Sequence, residues 1–176
     1  MMTWILSICR GHKIGVYLSD ISGAFDRVCK EYLLAKLNGM GIGADYLNFL
    51  DSYLSARRGQ VVVEGTTSEN FEIANSVFQG TVLGPPLWNA FFADVAQAAS
   101  SAGGREEKFA DDLSVFQVFN RDLDPEACFA GLEQSRQKVH RWGRHNRIIL
   151  DAGKKNHCHY SHFFIHKEKR SSCWVA

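Results

Sequence analysis

Lys108-Phe-Ala-Asp-Asp-Leu-Ser-Val-Phe116 is an apolar, strand-prone run with two acids, Asp111 and Asp112, set in its middle. Adjacent acids inside a core pattern mark a reversal, so the run is read as two strands joined by a hairpin turn. A second acid closes a strand near the start: Ile14-Gly-Val-Tyr-Leu-Ser19 is a short buried strand that ends on Asp20. A sheet that pairs these strands brings carboxylates together. Two carboxylates about 4 Å apart repel by roughly 4 kcal/mol at an effective dielectric near 20. No lysine or arginine is adjacent to either acidic position in the sequence. A shared proton or bound divalent cations resolve such a repulsion. All-oxygen ligands favour Mg²⁺, with Mn²⁺ as a substitute, over zinc. Two such ions about 3.5–4 Å apart clamp the attacking and leaving oxygens of a phosphoryl transfer. Paired aspartates also solvate an ordinary turn, and on these residues alone both readings stand.

Outward from these strands, Leu33, Leu34 and Leu37 are spaced for one helix face, which Gly39-Met-Gly-Ile-Gly43 stops. Tyr46, Leu47, Leu50, Tyr53 and Leu54 mark a second amphipathic helix. Gln60–Glu64 and Asn70–Ala74 are β-rich runs joined through Gly65-Thr-Thr-Ser68, which predicts a hairpin. Gln79-Gly-Thr-Val-Leu-Gly-Pro-Pro86 reads as a loop, followed by one helix through Ala99 that is apolar on most sides, with Leu87, Phe91, Val95 and Ala98 on one face. Asp124 caps a further helix with Pro125 in its first turn and Phe129, Leu132, Val139 and Trp142 on its inner face. Ile148-Ile-Leu150 is read as a last core strand. The order is β-α-(α, hairpin)-α-β-β-α-β. It predicts an α+β fold with a ferredoxin-like split β-α-β antiparallel sheet and helices packed on one face.

Composition supports one globular domain. Of 176 residues, 45% are hydrophobic and 22% charged, which excludes disordered, collagen-like and coiled-coil classes. Net charge is +1, from 20 basic and 19 acidic residues, so a uniformly basic nucleic-acid binder is excluded. The balance is uneven: residues 151–176 hold 5 basic groups against 2 acids, leaving residues 1–150 at −2. Five scattered cysteines without a C-x-x-C pair suit a reducing, intracellular setting. Met1–Cys9 is too short to span a bilayer and lacks a basic n-region, so neither a signal peptide nor a membrane segment is expected. Arg136, Lys138, Arg141, Arg144 and Arg147 suit phosphate contacts or a solvated helix face equally.

Asp20-Ile-Ser-Gly-Ala-Phe-Asp26 resembles motif A of reverse transcriptases of the non-LTR retrotransposon type. Val77-Phe-Gln-Gly-Thr-Val-Leu-Gly-Pro-Pro-Leu-Trp-Asn89 resembles their motif B, and Phe109-Ala-Asp-Asp112 their motif C. Trp142 with Leu150-Asp-Ala-Gly-Lys154 is similar to motif D. The resemblance implies a polymerase palm over residues 1–155 and an RNA-directed DNA polymerase reaction, in which a primer 3′-hydroxyl attacks a deoxynucleoside triphosphate on an RNA template. By that resemblance Asp20 and Asp111 bind two Mg²⁺ ions, with the Ile21 carbonyl assisting, Asp112 supporting and Mn²⁺ able to substitute. Phe25 matches a ring that blocks a 2′-hydroxyl; apart from the motif, an ordinary core phenylalanine beside a strand end reads equally well. Gln79 and Gly80 contact the incoming nucleotide and template base, and Lys154 is a candidate general acid for departing pyrophosphate. Asp26 is assigned a structural role.

Gly23 and Phe78 depart from that family's usual pattern, where a basic residue and a proline are common, and Pro86 makes a double proline. Motif A beginning at residue 20 leaves no room for fingers. No primer-grip or thumb signature follows Lys154. The expectation is therefore a palm cut from a longer polymerase, with fingers and thumb largely missing, weak nucleic-acid affinity alone, and a divergent basic tail over 156–176. Alternatives are a catalytically dead remnant that at most binds RNA weakly, or an unrelated two-metal phosphotransferase or nuclease. Cys158, His162, His166 and Cys173 could be read as a zinc set, but their spacing is not that of a standard finger.

Overall fold

The computed structural model describes residues 2–150 and 158–160, with the backbone alone for 2–4 and 158–160. In chain order the elements are α1 (Met2–Cys9), β1 (Lys13–Ser19), a 3₁₀ turn (Phe25–Arg27), α2 (Lys30–Gly39), α3 (Ala44–Leu54), the short strands β2 (Arg58–Gly59), β3 (Val62–Val63), β4 (Thr66–Thr67) and β5 (Phe71–Glu72), α4 (Gly84–Phe92), α5 (Val95–Ser100), β6 (Arg105–Phe109), β7 (Asp112–Phe119), α6 (Pro125–His145) and β8 (Cys158–Tyr160). The main sheet has the order β6-β7-β1-β8, and every neighbouring pair is antiparallel. β7 thus lies between β1 and β6, splitting one crossover, and β1 lies between β7 and β8, splitting the other. That is the split β-α-β connectivity expected from the sequence.

Strand alternation assigns the two sheet faces. Tyr17 of β1 meets His140 of α6 through a 3.0 Å hydrogen bond, and a Cβ on Gly15 would lie 3.3 Å from Leu132, so the odd-numbered residues of β1 face α6. Leu113 and Val115 of β7 join the same core with Leu132, Val139 and Trp142 of α6. Ile14 and Val16, with Phe116 of β7, form a separate apolar cluster on the opposite face. α2, α3 and α4 extend the main core through Leu33, Leu37, Leu50, Leu54, Trp88 and Phe91.

Several boundaries differ from the sequence expectation for identifiable reasons. The small hairpin turns at Glu64-Gly65, not across Gly65–Ser68, because both residues take positive φ (49° and 81°) as a two-residue type I′ turn requires, freeing Thr66-Thr67 for β4. α4 starts at Gly84 and takes Pro85 and Pro86 into its first turn, where a missing N–H costs nothing. The single buried helix expected through Ala99 breaks into α4 and α5 around Asp94. There the carboxylate accepts from Lys36 Nζ at 2.8 Å and Trp142 Nε1 at 2.7 Å, and the backbone tightens to i→i−3 bonds. Burial pushes the Lys36 ammonium below its ordinary pKa, an effect opposed by Asp94.

The inner face of α6 runs through Cys128, Leu132, Ser135, Val139 and Trp142, while Phe129 points outward at 51% exposure. Among the described residues Ile148–Leu150 makes one bridge, Ile21↔Leu150, and no strand. The preceding residues close the end of α6, with Arg147 at φ 58° and Ile148 N–H donating to the Gly143 carbonyl. The fourth strand is β8, drawn from the segment the sequence reading set apart as a tail. Among the described residues no helix is long and apolar enough to cross a membrane.

Candidate active site

The acids expected to act converge at one end of the sheet. β1 and β7 pair from Lys13↔Phe119 to Ser19↔Leu113, and one further step of that register sets Asp20 across from Asp112. By the same alternation Asp20 and Asp112 fall on the face with Val16 and Phe116, away from α6. Asp111 stands in the two-residue loop that joins β6 to β7, closed by the Phe109↔Asp112 pair. The first loop residue, Ala110, has φ 54°, a conformation that costs an alanine free energy and persists only where its surroundings hold it. Asp20 and Asp111 are half-buried and Asp112 is exposed. No ion pair of Asp111 or Asp112 occurs among the described residues.

All-oxygen donors on one rim suit hard divalent cations. No group of three or more His, Cys, Asp or Glu side chains is gathered into a ready-made metal cage among the described residues. The Ile21 side chain is buried in the core at 2% exposure. Its bridge to Leu150 is made through the Ser22 N–H donating to the Ile149 carbonyl at 3.2 Å, a bond in which the Ile21 carbonyl takes no part.

The loop after Asp20 is fastened to the segment that carries Gln79. Val77 N–H donates to the Phe25 carbonyl at 2.9 Å and Ser76 N–H to the Val28 carbonyl at 3.1 Å. Phe25 is half-buried and packs on the main core, its ring stacked on Trp88 with centroids 5.9 Å apart. Arg57 ties the end of α3 to the same segment, with Nε donating to the Leu54 carbonyl at 3.0 Å, Nη1 to the Ser76 carbonyl at 2.7 Å, and its guanidinium 4.9 Å from the Phe78 ring centroid. Gln79 and Gly80 are both exposed, and Gly80 takes φ 84°, which only glycine adopts without strain. The chain then turns tightly into α4: Thr81 Oγ1 donates to the Phe78 carbonyl at 2.8 Å, and Gly84 N–H donates to Thr81 Oγ1 at 3.1 Å. A Cβ on Gly84 would lie 2.5 Å from the Phe78 carbonyl, so only glycine fits there.

The structure thus sets Asp20, Asp111 and Asp112 on one rim and holds Phe25 beside the Gln79-Gly80 loop. Lys154 and the Cys158, His162, His166, Cys173 side chains lie outside the described residues. The basic row of α6 sits elsewhere. Arg136, Gln137, His140, Arg141 and Arg144 line a surface cavity of about 280 Å³ on the α6 side of the sheet, opposite in face to Asp20 and Asp112. Arg147 instead stacks over Tyr32 at 5.4 Å. Sequence reasoning missed Trp88, whose indole Nε1 donates to the Ala110 carbonyl at 2.8 Å. A buried tryptophan carries no sequence mark separating a hydrogen-bonding role from packing. The signal available was that a buried indole N–H requires an acceptor.

A family model described as reverse transcriptase (RNA-dependent DNA polymerase) matches residues 8–172. The chain is 32% identical over 139 residues to a probable RNA-directed DNA polymerase from transposon X-element of Drosophila melanogaster, an alignment covering 78% of this chain and 15% of that protein. It is 31% identical over 148 residues to the RNA-directed DNA polymerase from mobile element jockey of the same fly, covering 81% and 16%. It is also 28% identical over 125 residues to a Pol polyprotein from type-1 retrotransposable element R2 of Popillia japonica, covering 65% and 20%. Among solved structures, apo telomerase from Candida tropicalis superposes with a TM-score of 0.58 at 13% identity, covering 85% of this chain and 33% of that one. That likeness concerns the fold. The chain spans about 15% of the length of the transposon polymerases it matches.

Proposed function

Because the chain belongs to the reverse transcriptase family, we propose that it is the palm of an RNA-directed DNA polymerase, comprising residues 1–155 together with β8. The observation that carries the proposal is the β1–β7 register, which sets Asp20 opposite the hairpin bearing Asp111 and Asp112. In this reading Asp20 and Asp111 hold two Mg²⁺ ions, or Mn²⁺ in their place, with the Ile21 carbonyl and Asp112 completing the oxygen shell. The ions would supply charge neutralisation and activation of the primer 3′-hydroxyl. The protein's part is positioning. The carboxylates would hold the ions that neutralise the triphosphate end of the incoming deoxynucleotide, Gly80 lets backbone approach the base, and Gln79 packs beside it. The Phe25 ring, held on Trp88, crowds the 2′ position of the sugar and so favours deoxynucleotides. Lys154 is assigned the proton that leaves with pyrophosphate. An RNA template, a DNA primer and deoxynucleoside triphosphates are the implied partners. Affinity for nucleic acid is expected to be weak, because residues 1–150 sum to −2 and phosphate contacts dominate such binding.

Primer extension on an RNA template with deoxynucleotides and Mg²⁺ or Mn²⁺ tests the proposal. Extension that is lost in Asp111→Asn is expected. Extension indifferent to that substitution refutes the assignment, while its absence from folded protein leaves the family membership standing and refutes catalysis by this chain alone.

A further inference from the structure

We infer that Trp88 is the positioning residue of the Asp111 turn: its indole N–H holds the left-handed Ala110 peptide and thereby fixes where the Asp111 carboxylate stands. The inference deepens the palm reading, in which Asp111 holds a metal ion. The turn needs such a hold. Ala110 sits at φ 54° without the glycine that ordinarily relieves this conformation. The surrounding tip packs little, since Phe109 is 82% exposed and Ala110 and Asp112 are exposed as well. From the helical layer, the bonds to this hairpin end among the described residues are Trp88 Nε1 to the Ala110 carbonyl at 2.8 Å and a longer one from Lys108 Nζ to the Ala93 carbonyl at 3.4 Å.

The indole is itself immobilised. Trp88 is 1% exposed and stacks on Phe25, Phe91 and Phe92 with centroids 5.9, 6.2 and 5.1 Å away. An aromatic stack therefore connects the Phe25 ring to the turn through one directed hydrogen bond. Phenylalanine at position 88 would delete the donor and keep one aromatic ring against Phe25, Phe91 and Phe92, while the missing indole atoms leave a small void in the core. Ala110 is an exposed residue, so water can take the place of the indole at its carbonyl, and the turn loses its anchor in addition to whatever the void costs the whole fold.

The test compares Trp88→Phe with Trp142→Phe, which removes a different indole bond, that to Asp94. Hydrogen exchange is followed through residues 109–113, with urea midpoints measured in parallel. The expected result is exchange faster by about tenfold at the turn in Trp88→Phe, beyond the change that its urea midpoint accounts for in other segments, and no such excess in Trp142→Phe. Exchange at the turn unchanged in Trp88→Phe overturns the inference. So does exchange that rises everywhere in step with the urea midpoint, which marks a merely structural role. Mn²⁺ titration of the same proteins supplies the functional readout, with affinity falling in Trp88→Phe and holding in Trp142→Phe. Wild-type protein that binds no Mn²⁺ refutes the metal reading of Asp111, while the exchange result still decides the role of Trp88.

Discussion

Gly84→Ala subjects the Gln79-Gly80 loop to a defined steric load. The added Cβ falls 2.5 Å from the Phe78 carbonyl oxygen and 3.2 Å from Thr81 Oγ1. The nearer atom belongs to the backbone, so relief requires the loop itself to move. Overpacking of this kind costs about 1–3 kcal/mol. Alanine's better helix propensity returns up to about 1 kcal/mol, since Gly84 opens α4. The net expectation is destabilisation by about 1–2 kcal/mol, which for a urea m-value near 2 kcal/mol/M lowers the midpoint by about 0.5–1 M. Gly39→Ala is the matched control. No atom lies within 4 Å of its Cβ position and its φ is negative, so the substitution should raise the midpoint by a few tenths of a molar. Chemical denaturation of the three proteins decides the matter. A Gly84→Ala midpoint at or above wild type would refute the close approach of Phe78 to α4 and with it the account of how the loop is held.

Other perturbations follow from single contacts. Asp94→Ala strips Lys36 and Trp142 of a shared acceptor and should destabilise by about 2–3 kcal/mol in urea melts, with Asp94→Asn milder because one oxygen remains. Asp124→Ala removes the cap that accepts from Glu126 N–H at 3.0 Å and should cost about 1 kcal/mol in the same assay. Burial, with Arg136 and Arg144 nearby, holds the His140 pKa below its ordinary value. The imidazole therefore binds its proton more readily in the unfolded chain, and stability present above about pH 6.5 should decline as pH falls toward and through the folded value. Urea midpoints between pH 7.5 and 5 should show that decline, and His140→Gln should flatten part of it.

The parts of this molecule that were legible in its sequence are those where chemistry contradicts a local pattern. Asp20 and the Asp111-Asp112 pair stand out because acids interrupt apolar strands, and a fixed two-residue alternation then dictates which face they share. The α6 start was legible because Asp124 and Pro125 act through local hydrogen bonding and fixed φ. Elements set by tertiary partners were not. The α4–α5 break is imposed by Lys36 and Trp142 reaching Asp94 from distant segments, and nothing within residues 84–100 announces it. β8 rests on three residues, Cys158-His159-Tyr160, too few to show an alternating pattern. Trp88 has the same apolar signature as Phe91 and Phe92, and only the Ala110 carbonyl across the fold distinguishes its role.

The most direct measurement is a Mn²⁺ titration followed by electron paramagnetic resonance on wild-type protein and on Asp20→Asn and Asp111→Asn. The account predicts saturable binding in the wild type and affinity at least about tenfold weaker in each variant, a loss of about 1.4 kcal/mol or more. Equal binding in all three would contradict it, because the β1–β7 register would then bring together carboxylates that hold no metal.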